Sequence, residues 1–306
     1  MKKIALSCGD PSGVGPEVIE SSLAKHPDWA ESLCLIGPSA WLDPLCEAYS
    51  VEGLSVGSST FVPTPGTPSE RGAEIALEAM TEAANGCHND QFSAVVTGPV
   101  SKYWLKKVGF SHPGQTEFFA DVWGGIPTMA FVGKRLKVAL TTWHIPLAQV
   151  PHALTKSCLE LTVTRAAWLA QACGSPQPRI GVCGLNPHAG EQGIMGREEV
   201  DIIDPLLEAL RQNYKGLSRC EPADTIFHKM LQGSFDIVVA LYHDQGLAPL
   251  KTLEFDQAVN LSLGLPWLRT SPDHGTGFDI AGKGKAQSSS IEQAILLAQQ
   301  LGPNMS

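Results

Sequence analysis

The feature that most constrains the fold of this chain is an uninterrupted apolar run that ends abruptly in titratable side chains. Residues 236–246 are Asp-Ile-Val-Val-Ala-Leu-Tyr-His-Asp-Gln-Gly, and Lys251 follows shortly afterwards. A short run that is apolar at every position is typical of a strand buried on both faces of a parallel sheet. Ligands of open α/β sheets bind beyond the carboxyl ends of such strands. The stretch therefore predicts a parallel sheet with a reactive strand end at His243 and Asp244.

The same pattern of an apolar strand followed by a polar loop recurs along the chain, and predicted helices alternate with the strands. Further strands are predicted at residues 4–7, 32–37, 93–97, 128–132, 136–142, 179–185, 259–263 and 268–270. Helices are predicted at residues 72–85, 154–172, 198–211, 224–231 and 290–301. Strands 128–132 and 136–142 are close enough in sequence to form a hairpin. This alternation predicts a three-layer α/β architecture with a mostly parallel sheet.

Length, charge and cysteine pattern exclude several classes of protein. The 306 residues allow two domains or one large α/β unit, and 43% hydrophobic with 17% charged residues argues against disorder. A net charge of −9 without a basic block argues against nucleic-acid binding. No apolar stretch approaches the ~20 residues of a membrane span, and the N-terminal apolar run is too short for a signal peptide. The eight cysteines form no Cys-x-x-Cys pair, so we expect reduced thiols and a cytoplasmic location.

Three histidines occupy the same position relative to the predicted strands. His144, His188 and His243 each lie just past the carboxyl end of an apolar strand. For any one of them a structural role is the better expectation. Three in the same position could instead converge on a metal ion at one edge of the sheet. Three histidine ligands leave open the coordination positions that a catalytic Zn²⁺ or a similar ion requires.

Charged side chains close to these strand ends are candidates for substrate binding and proton transfer. Lys251 and Arg269, with Asn260 between them in sequence, could bind a phosphate or carboxylate, or the two cations could be solvated surface charges. Asp224 and Asp244 could orient a histidine or act as a base. Asp224 could equally cap a helix.

Two loops leave a structural and a functional interpretation open. Residues 9–17, GDPSGVGPE, connect a strand to a helix, and such a loop can bring backbone N–H groups to an anion. Its glycines do not form a G-x-G-x-x-G fingerprint, so a tight turn is an equally good interpretation. Thr116, within the segment PGQTE, could contact a ligand or cap the helix that follows it.

Seven segments together identify a family. They are residues 9–17 (GDPSGVGPE), 97–99 (TGP), 113–117 (PGQTE), 141–144 (TTWH), 185–191 (LNPHAGE), 242–246 (YHDQG) and 274–282 (HGTGFDIAG). In this order, and across nearly the whole chain, they resemble the PdxA family, the 4-hydroxythreonine-4-phosphate dehydrogenases of pyridoxal phosphate synthesis. Each segment alone is a weak signal, but the ordered set is specific.

The resemblance implies the fold and the assembly. The fold is of the isocitrate/isopropylmalate dehydrogenase-like type, α/β with two three-layer αβα lobes and the active site in the cleft between them. The first lobe, discontinuous and on the cofactor side, would be residues 1–97 with 245–306. The second, residues 98–244, would carry the dimer interface. The family is a homodimer in which each metal site is completed across the interface, so His144 could come from the other subunit.

The resemblance also implies the ligands and the reaction. A divalent metal (Zn, Mg or Mn) would be bound by His144, His188 and His243, and the cofactor would be NAD or NADP. The implied substrate contacts are Gln115, Thr116, Lys251, Asn260 and Arg269, and the implied cofactor contacts are His274, Gly275, Thr276, Asp279 and Ile280. The implied reaction oxidises 4-phosphohydroxy-L-threonine to 2-amino-3-oxo-4-phosphooxybutanoate, which decarboxylates to 3-amino-2-oxopropyl phosphate. Lys251, Asp244 and Asp224 are the candidate catalytic residues.

Two residues depart from the family pattern and leave the substrate open. Gln115 stands where the family has a histidine that contacts substrate, and Trp143 replaces a small residue before the first metal histidine. Because glutamine cannot carry a charge, its contact with a phosphate or carboxylate would be weaker. A related enzyme that oxidises threonate or erythronate phosphate is therefore an alternative. From other classes, a metal-dependent hydrolase is disfavoured by the segment 274–282, and a solute-binding protein by the absence of a signal peptide.

Overall fold

The computed structural model describes residues 2–304, which form eleven strands and eleven α-helices. The strands are β1 (Lys3–Ser7), β2 (Leu33–Gly37), β3 (Glu52–Ser55), β4 (Phe92–Thr97), β5 (Thr128–Val132), β6 (Lys137–Leu140), β7 (Ile180–Cys183), β8 (Leu217–Glu221), β9 (Ile237–Ala240), β10 (Val259–Leu263) and β11 (Leu268–Pro272). The helices are α1 (Gly15–Lys25), α2 (Ser39–Tyr49), α3 (Glu70–His88), α4 (Lys102–Lys107), α5 (Gln115–Trp123), α6 (Val150–Ala153), α7 (Lys156–Ala172), α8 (Asp204–Leu210), α9 (Ala223–Leu231), α10 (His243–Glu254) and α11 (Ser289–Leu301).

The chain divides into two compact units. The first contains the residues up to Pro127 and those from Val259 onward, and the second is Thr128–Ala258. These boundaries differ from the predicted ones at 97/98 and 244/245. The apolar side chains of α5 explain the first difference, because Phe119 and Trp123 are buried in the core of the first unit. Leu250 of α10 is likewise buried in the core of the second unit.

The first unit is built on strands in the order β3-β2-β1-β4-β11-β10. Neighbouring strands are parallel except β10 and β11, which are antiparallel. Helix α3 packs on this sheet through a row of small, fully buried side chains that includes Ala76, Ala79 and Ala83. Small side chains let the helix approach the sheet closely, and large ones such as Phe119 fill the space beside it. Each large apolar side chain buried in this way contributes about 1.5–3 kcal/mol.

The second unit is built on strands in the order β5-β6-β9-β7-β8. Strands β5 and β6 form the predicted antiparallel hairpin, and the other neighbours are parallel. Strand β9 lies in the middle of this order, and all four of its residues are fully buried. A strand with neighbours on both edges and apolar cover on both faces has to be apolar throughout. The apolar run that ends at His243 is thereby explained.

Most predicted elements are present, but several were missed or altered. Strand β8 and the helices α4, α6 and α10 were not predicted, and β8 and α4 are interrupted by polar side chains. The helix predicted at 198–211 is a π-helical turn, Glu199–Ile203, followed by α8. Within residues 2–304, no helix is both long and apolar enough to cross a membrane. All eight cysteines are free thiols.

Candidate functional site

The turn from β9 into α10 carries the segment from Tyr242 to Gly246, and His243, Asp244 and Gln245 each have a defined contact there. His243 is the first residue of α10. Gln245 joins two strand ends, because its Oε1 accepts from Leu241 N at 2.7 Å and its Nε2 donates to Gly184 O at 2.7 Å. A Cβ on Gly246 would lie 2.7 Å from Val138 Cγ1, so only glycine lets α10 sit this close to β6. These contacts fix His243 at the strand end.

Strand register brings His144 to His243. Strands β6 and β9 are parallel neighbours with Leu140 opposite Ala240, so the residues that follow each strand emerge side by side. Thr142 extends this pairing, since its N and Oγ1 both donate to Leu241 O, at 3.1 and 2.7 Å. The rings of His144 and His243 lie 5.8 Å apart between centroids. Two of the three predicted metal ligands are therefore adjacent in one chain.

A cavity of about 250 Å³ adjoins the histidine pair. Its lining is Thr142, Trp143, His144, Ile145, Leu147, Val150, Tyr242, His243 and Asp244. Nδ1 of His243 donates to the Asp244 carboxylate at 2.7 Å. A carboxylate on one ring nitrogen fixes the tautomer and directs the other nitrogen, Nε2, toward a metal. Asp244 therefore has the geometry of a residue that orients a histidine ligand.

His188 follows β7, as predicted, but lies in a strained turn. The backbone φ is positive at all five residues from His188 to Gln192, with values from 40° to 76°. Left-handed backbone costs a non-glycine residue roughly 1–2 kcal/mol. The fully buried Glu199 carboxylate anchors the turn by accepting from Asn186 N at 2.7 Å and from Asn186 Nδ2 at 2.9 Å. Retained strain of this kind is typical of functional segments.

The histidine pair fits a divalent metal by its chemistry but does not complete a site. Neutral imidazole nitrogens suit Zn²⁺ and related ions, and the bond from His243 to Asp244 is the usual support of such a ligand. Across residues 2–304, no three His, Cys, Asp or Glu side chains are grouped so that they could hold an ion. His188, which is exposed, is thus not grouped with His144 and His243 in one chain. A metal at this pair needs at least one further ligand.

Arg269 is the centre of a second cluster, inside the first unit. It lies on β11 opposite Val95 of the parallel strand β4, so Thr97, two residues further on, is on the same face. Nε and Nη2 of Arg269 donate to Thr97 Oγ1 at 3.0 and 2.8 Å. Nη1 donates to Asn260 Oδ1 at 2.9 Å, and Nη2 also donates to Gln115 Oε1 at 3.0 Å. Three of the predicted substrate contacts are therefore in mutual contact.

Burial dominates the electrostatics of this cluster. The Arg269 side chain is only 4% exposed. Burial lowers its pKa to about 9, although the negative charges of Glu117 and Asp273 act in the opposite direction. All of its hydrogen-bond acceptors are uncharged oxygens. A desolvated cation held by neutral groups is suited to attract an anion.

Thr116 has a structural role in the first unit. Gly114, not Thr116, is the N-cap of α5, so the capping interpretation is wrong. Thr116 is 2% exposed, and its hydroxyl lies 3.0 Å from the hydroxyl of the fully buried Ser262 on β10. This bond fixes α5 to the strand that also carries Asn260, and thereby places Gln115 beside Arg269.

The segment 274–282, predicted to contact the cofactor, packs on the glycine-rich loop 9–17. Val14 N donates to Thr276 O at 2.8 Å, and Gly282 N donates to the Glu17 carboxylate at 2.7 Å. A Cβ on Gly13 would lie 2.8 Å from Thr276 O. The glycines thus serve close backbone packing, which favours the tight-turn interpretation of this loop.

One buried atom in the segment 274–282 fits a bound nucleotide. Nδ1 of His274 lies 3.0 Å from Gly275 O, whereas its Nε2 is buried and has no hydrogen-bond partner within the described part of the chain. Buried polar atoms normally have a partner, so this nitrogen is a place where a cofactor atom could bind. Asp279 is exposed and Ile280 half-buried, and Gly275 is exposed.

The remaining predicted residues lie on helices of the second unit. Lys251 is on α10, eight residues after His243 and therefore about 12 Å further along the helix axis. Its Nζ lies 6.0 Å from the centre of the Phe255 ring. Asp224 is exposed in the first turn of α9, where Pro222 occupies the N-cap position, so the capping interpretation is wrong for this residue too.

Three residues important to these clusters were not among the predicted site residues. Thr97, Gln245 and Glu199 act through buried hydrogen bonds to Arg269, to two strand ends and to Asn186. Thr97 and Gln245 occur in segments that carry the family resemblance, which was the available signal. Their partners are distant in sequence, so no local pattern could have identified their roles.

Comparison with known proteins agrees with the segments that suggested the family. Residues 37–298 match the model of the family described as pyridoxal phosphate biosynthetic protein PdxA. A 4-hydroxythreonine-4-phosphate dehydrogenase of Methylorubrum populi is 39% identical over an alignment of 330 positions, gaps included. The alignment covers 98% of this chain and 94% of the relative.

Solved structures give the same result. The 4-hydroxythreonine-4-phosphate dehydrogenase from Klebsiella pneumoniae has a TM-score of 0.84 and 32% identity, covering 99% of this chain and 100% of that chain. A terephthalate 1,2-cis-dihydrodiol dehydrogenase from Burkholderia xenovorans LB400 has a TM-score of 0.72 and 27% identity, with 98% of both chains covered. Isocitrate dehydrogenase from Methylococcus capsulatus shares the fold alone, with a TM-score of 0.51 and 14% identity, covering 100% of this chain and 87% of that chain. The predicted isocitrate dehydrogenase-like α/β fold is thereby confirmed, and this chain belongs to the PdxA family.

Proposed function

We propose that this chain is a dehydrogenase that depends on NAD or NADP and on a divalent metal, and that its substrate is 4-phosphohydroxy-L-threonine. The product, 2-amino-3-oxo-4-phosphooxybutanoate, decarboxylates to 3-amino-2-oxopropyl phosphate. The observation that carries the proposal is the relationship, over 98% of the chain, to an enzyme named for this substrate. The Arg269 cluster supports it, because a guanidinium is well suited to bind a phosphate.

Substrate binding is assigned to the residues around Arg269 together with Lys251. Arg269 offers a planar guanidinium held by Gln115 and Asn260, and Lys251 is a substrate contact by resemblance only. Thr116 acts through its bond to Ser262, which fixes the start of α5. In this arrangement the phosphate or carboxylate of the substrate binds to Arg269.

The chemistry is divided between the chain and its ligands. A divalent ion bound by His144, His188 and His243 would supply polarisation of the substrate C3 oxygen. NAD or NADP bound along residues 274–282 would accept the hydride from C3. Lys251 accepts the hydroxyl proton, and Asp244 keeps His243 in its binding tautomer rather than acting as the base. Asp224 remains a candidate by resemblance only.

We propose that a second copy of the chain completes the metal site. One chain groups only two of the three histidines, and exposed apolar side chains lie close to them in sequence. Leu147, which lines the cavity beside His144, is 67% exposed, and Ile194, six residues after His188, is 81% exposed. Large exposed apolar side chains of this kind are typical of surfaces that a partner covers. The free thiols support a location in a reducing compartment, the cytoplasm.

A second candidate function is oxidation of a related hydroxy acid by the same fold. Gln115 stands where the family has a histidine. Its side-chain oxygen contacts Arg269, where an anion would be recognised. One structurally similar protein is named as a terephthalate dihydrodiol dehydrogenase. Proteins that resemble this chain are therefore not all named for the same substrate. Threonate and erythronate phosphates are the candidates that keep both the hydroxyl and the phosphate.

A substrate panel followed at the NADH or NADPH absorbance tests the proposal. The panel contains 4-phosphohydroxy-L-threonine, 4-phosphothreonate, 4-phosphoerythronate and unphosphorylated 4-hydroxy-L-threonine, each with NAD and with NADP. We expect the highest kcat/KM for 4-phosphohydroxy-L-threonine, and loss of turnover on chelation that returns when Zn²⁺, Mg²⁺ or Mn²⁺ is added back. A preference for one of the phosphorylated acids without the amino group would favour the second candidate. Absence of reduced cofactor with every compound would favour a metal-dependent hydrolase.

A further inference from the structure

Arg269 is held by three neutral side chains that come from three different elements. Thr97 ends β4, Asn260 lies on β10, and Gln115 begins α5. Together they accept four N–H bonds from the guanidinium, at 2.8 to 3.0 Å. We call these three residues the neutral cage. Thr97 contributes two of the four bonds, although it is fully buried and has no charge.

The cage is rigid because the sheet sets its geometry. Val95, two residues before Thr97, is opposite Arg269 in the β4–β11 pair, and Ser262, two residues after Asn260, is opposite Arg269 in the β10–β11 pair. The side chains of Thr97 and Asn260 therefore lie on the same face of the sheet as Arg269, one on each neighbouring strand. The Thr97 hydroxyl accepts from Nε and Nη2, and Asn260 accepts from Nη1 on the other side. These bonds fix the plane of the guanidinium.

The cage leaves one N–H donor of Arg269 unbonded and adds no negative charge, so Glu117 and Asp273 are the negative charges that act on this cation. A guanidinium has five N–H groups, and four of them are bonded in the cage. The fifth, on Nη1, is not bonded by the cage. Desolvation of Arg269 outweighs the attraction of Glu117 and Asp273, so an anion that reaches this group stabilises the charge.

We infer that Thr97 and Gln115 are positioning residues that hold Arg269 flat without adding a negative charge of their own, so that it binds the anionic group of the substrate. The anionic group is a phosphate or a carboxylate. The inference rests on the proposed function in taking Arg269 as the group that binds the substrate. It adds that neutrality of the cage, and not only the presence of Arg269, determines the preference for an anionic substrate.

The first test removes the Thr97 acceptor without changing its shape. In T97V the hydroxyl is replaced by a methyl group, and in T97S the hydroxyl is kept. The matched control is T270V, because Thr270 is the next residue after Arg269, is also fully buried, and donates its hydroxyl to Ala294 O instead. Calorimetry on the full chain measures the affinity for inorganic phosphate, and the affinity for unphosphorylated 4-hydroxy-L-threonine separates phosphate from carboxylate as the bound group.

We expect T97V to weaken binding of the recognised anion about tenfold, because it removes two charge-assisted hydrogen bonds. T97S should restore the affinity to near that of the wild-type protein, and T270V should leave it unchanged. In turnover, the same T97V change should appear in KM rather than in kcat. A purely structural role of Thr97 would instead make T97V and T270V behave alike, which would overturn the inference.

The second test places a charge in the cage. Q115E replaces the amide by a carboxylate of nearly the same shape, directly at the Nη2 group. We expect anion binding to fall at least tenfold while the melting temperature rises by about 3 °C, because the buried cation then has a carboxylate in direct hydrogen-bond contact. Q115N, which stays neutral but is shorter, should weaken binding without raising the melting temperature. Unchanged anion affinity in Q115E would overturn the inference.

These outcomes separate the inference from the proposed function. If the wild-type protein binds phosphate and the variants behave as expected, but 4-phosphohydroxy-L-threonine is not oxidised, the proposed substrate is wrong and the cage stands. If that substrate is oxidised and T97V and Q115E match the wild-type protein, the cage is wrong and the function stands. Failure of the wild-type protein to bind either anion also overturns the cage.

Discussion

The Arg269 cluster and the histidine pair differ in how complete each is within one chain. Around Arg269, the neutral cage is already assembled and the residue is 4% exposed. Around His144 and His243, the rings are adjacent, but the His243 side chain is 39% exposed and that of Asp244 is 86% exposed. The side chains around Arg269 are thus largely buried and bonded to it, whereas the histidine pair is partly exposed to solvent.

The difference follows from where the residues lie. Arg269, Thr97 and Asn260 are on strands or at a strand end, where ladder hydrogen bonds fix the backbone. His144 and His188 are in loops beyond strand ends, both with φ of 52°. A site whose side chains are already ordered does not need ligand binding energy to order them. The Arg269 cluster is thus held in place by the chain itself, whereas within residues 2–304 no third ligand is grouped with the histidine pair.

The largest expected effect comes from removing a histidine of the pair. We expect H243A to reduce metal affinity and metal-dependent turnover by more than about a hundredfold, since the loss of a ligand exceeds the loss of a supporting contact. Metal content after dialysis and the rate of NADH formation measure the two effects. The control is H228A, an exposed histidine on α9. Near-normal metal retention in H243A would remove this histidine from the site.

A smaller effect is expected when only the support of that ligand is changed. In D244N the Nδ1 group of His243 loses its carboxylate acceptor. We expect metal affinity to fall about 10–100-fold, with no change in phosphate affinity. Titration with Zn²⁺ and with phosphate measures both. D90N serves as the control, because Asp90 is an exposed carboxylate paired with Lys2. A fall in turnover with unchanged metal affinity would instead make Asp244 the base.

The smallest effect is expected from pH at the Arg269 cluster. Burial lowers the Arg269 pKa to about 9, and the group is a cation below that value and neutral above it. Anion binding should therefore be present at neutral pH and should weaken as the pH rises through 9. Because protonated Arg269 falls about tenfold between pH 8 and pH 10, the affinity should fall by a similar factor. Sulfate is the suitable probe, since its charge is constant over this range. An affinity independent of pH would place the anion elsewhere.

Local patterns predicted the elements far better than they predicted the contacts between them. The apolar run of β9 and the hairpin β5–β6 were recovered because burial on both faces and a short polar turn are visible in adjacent residues. The edge strand β8 was missed, since it has no such apolar run. The convergence of His144 with His243 was anticipated from their positions, whereas the separate setting of His188 depends on a left-handed turn held by Glu199.

The sequence by itself determined the α/β class, the family and the residue types available for metal and anion binding, because strand burial and short ordered motifs are local properties. Only the tertiary structure decided that Gln115, Thr97 and Asn260 meet at Arg269, since these residues are brought together by strand register and helix packing across as many as 172 residues. It also decided that two histidines, not three, are grouped in one chain. Contacts between distant segments depend on the register of a whole sheet, and no local pattern contains that information.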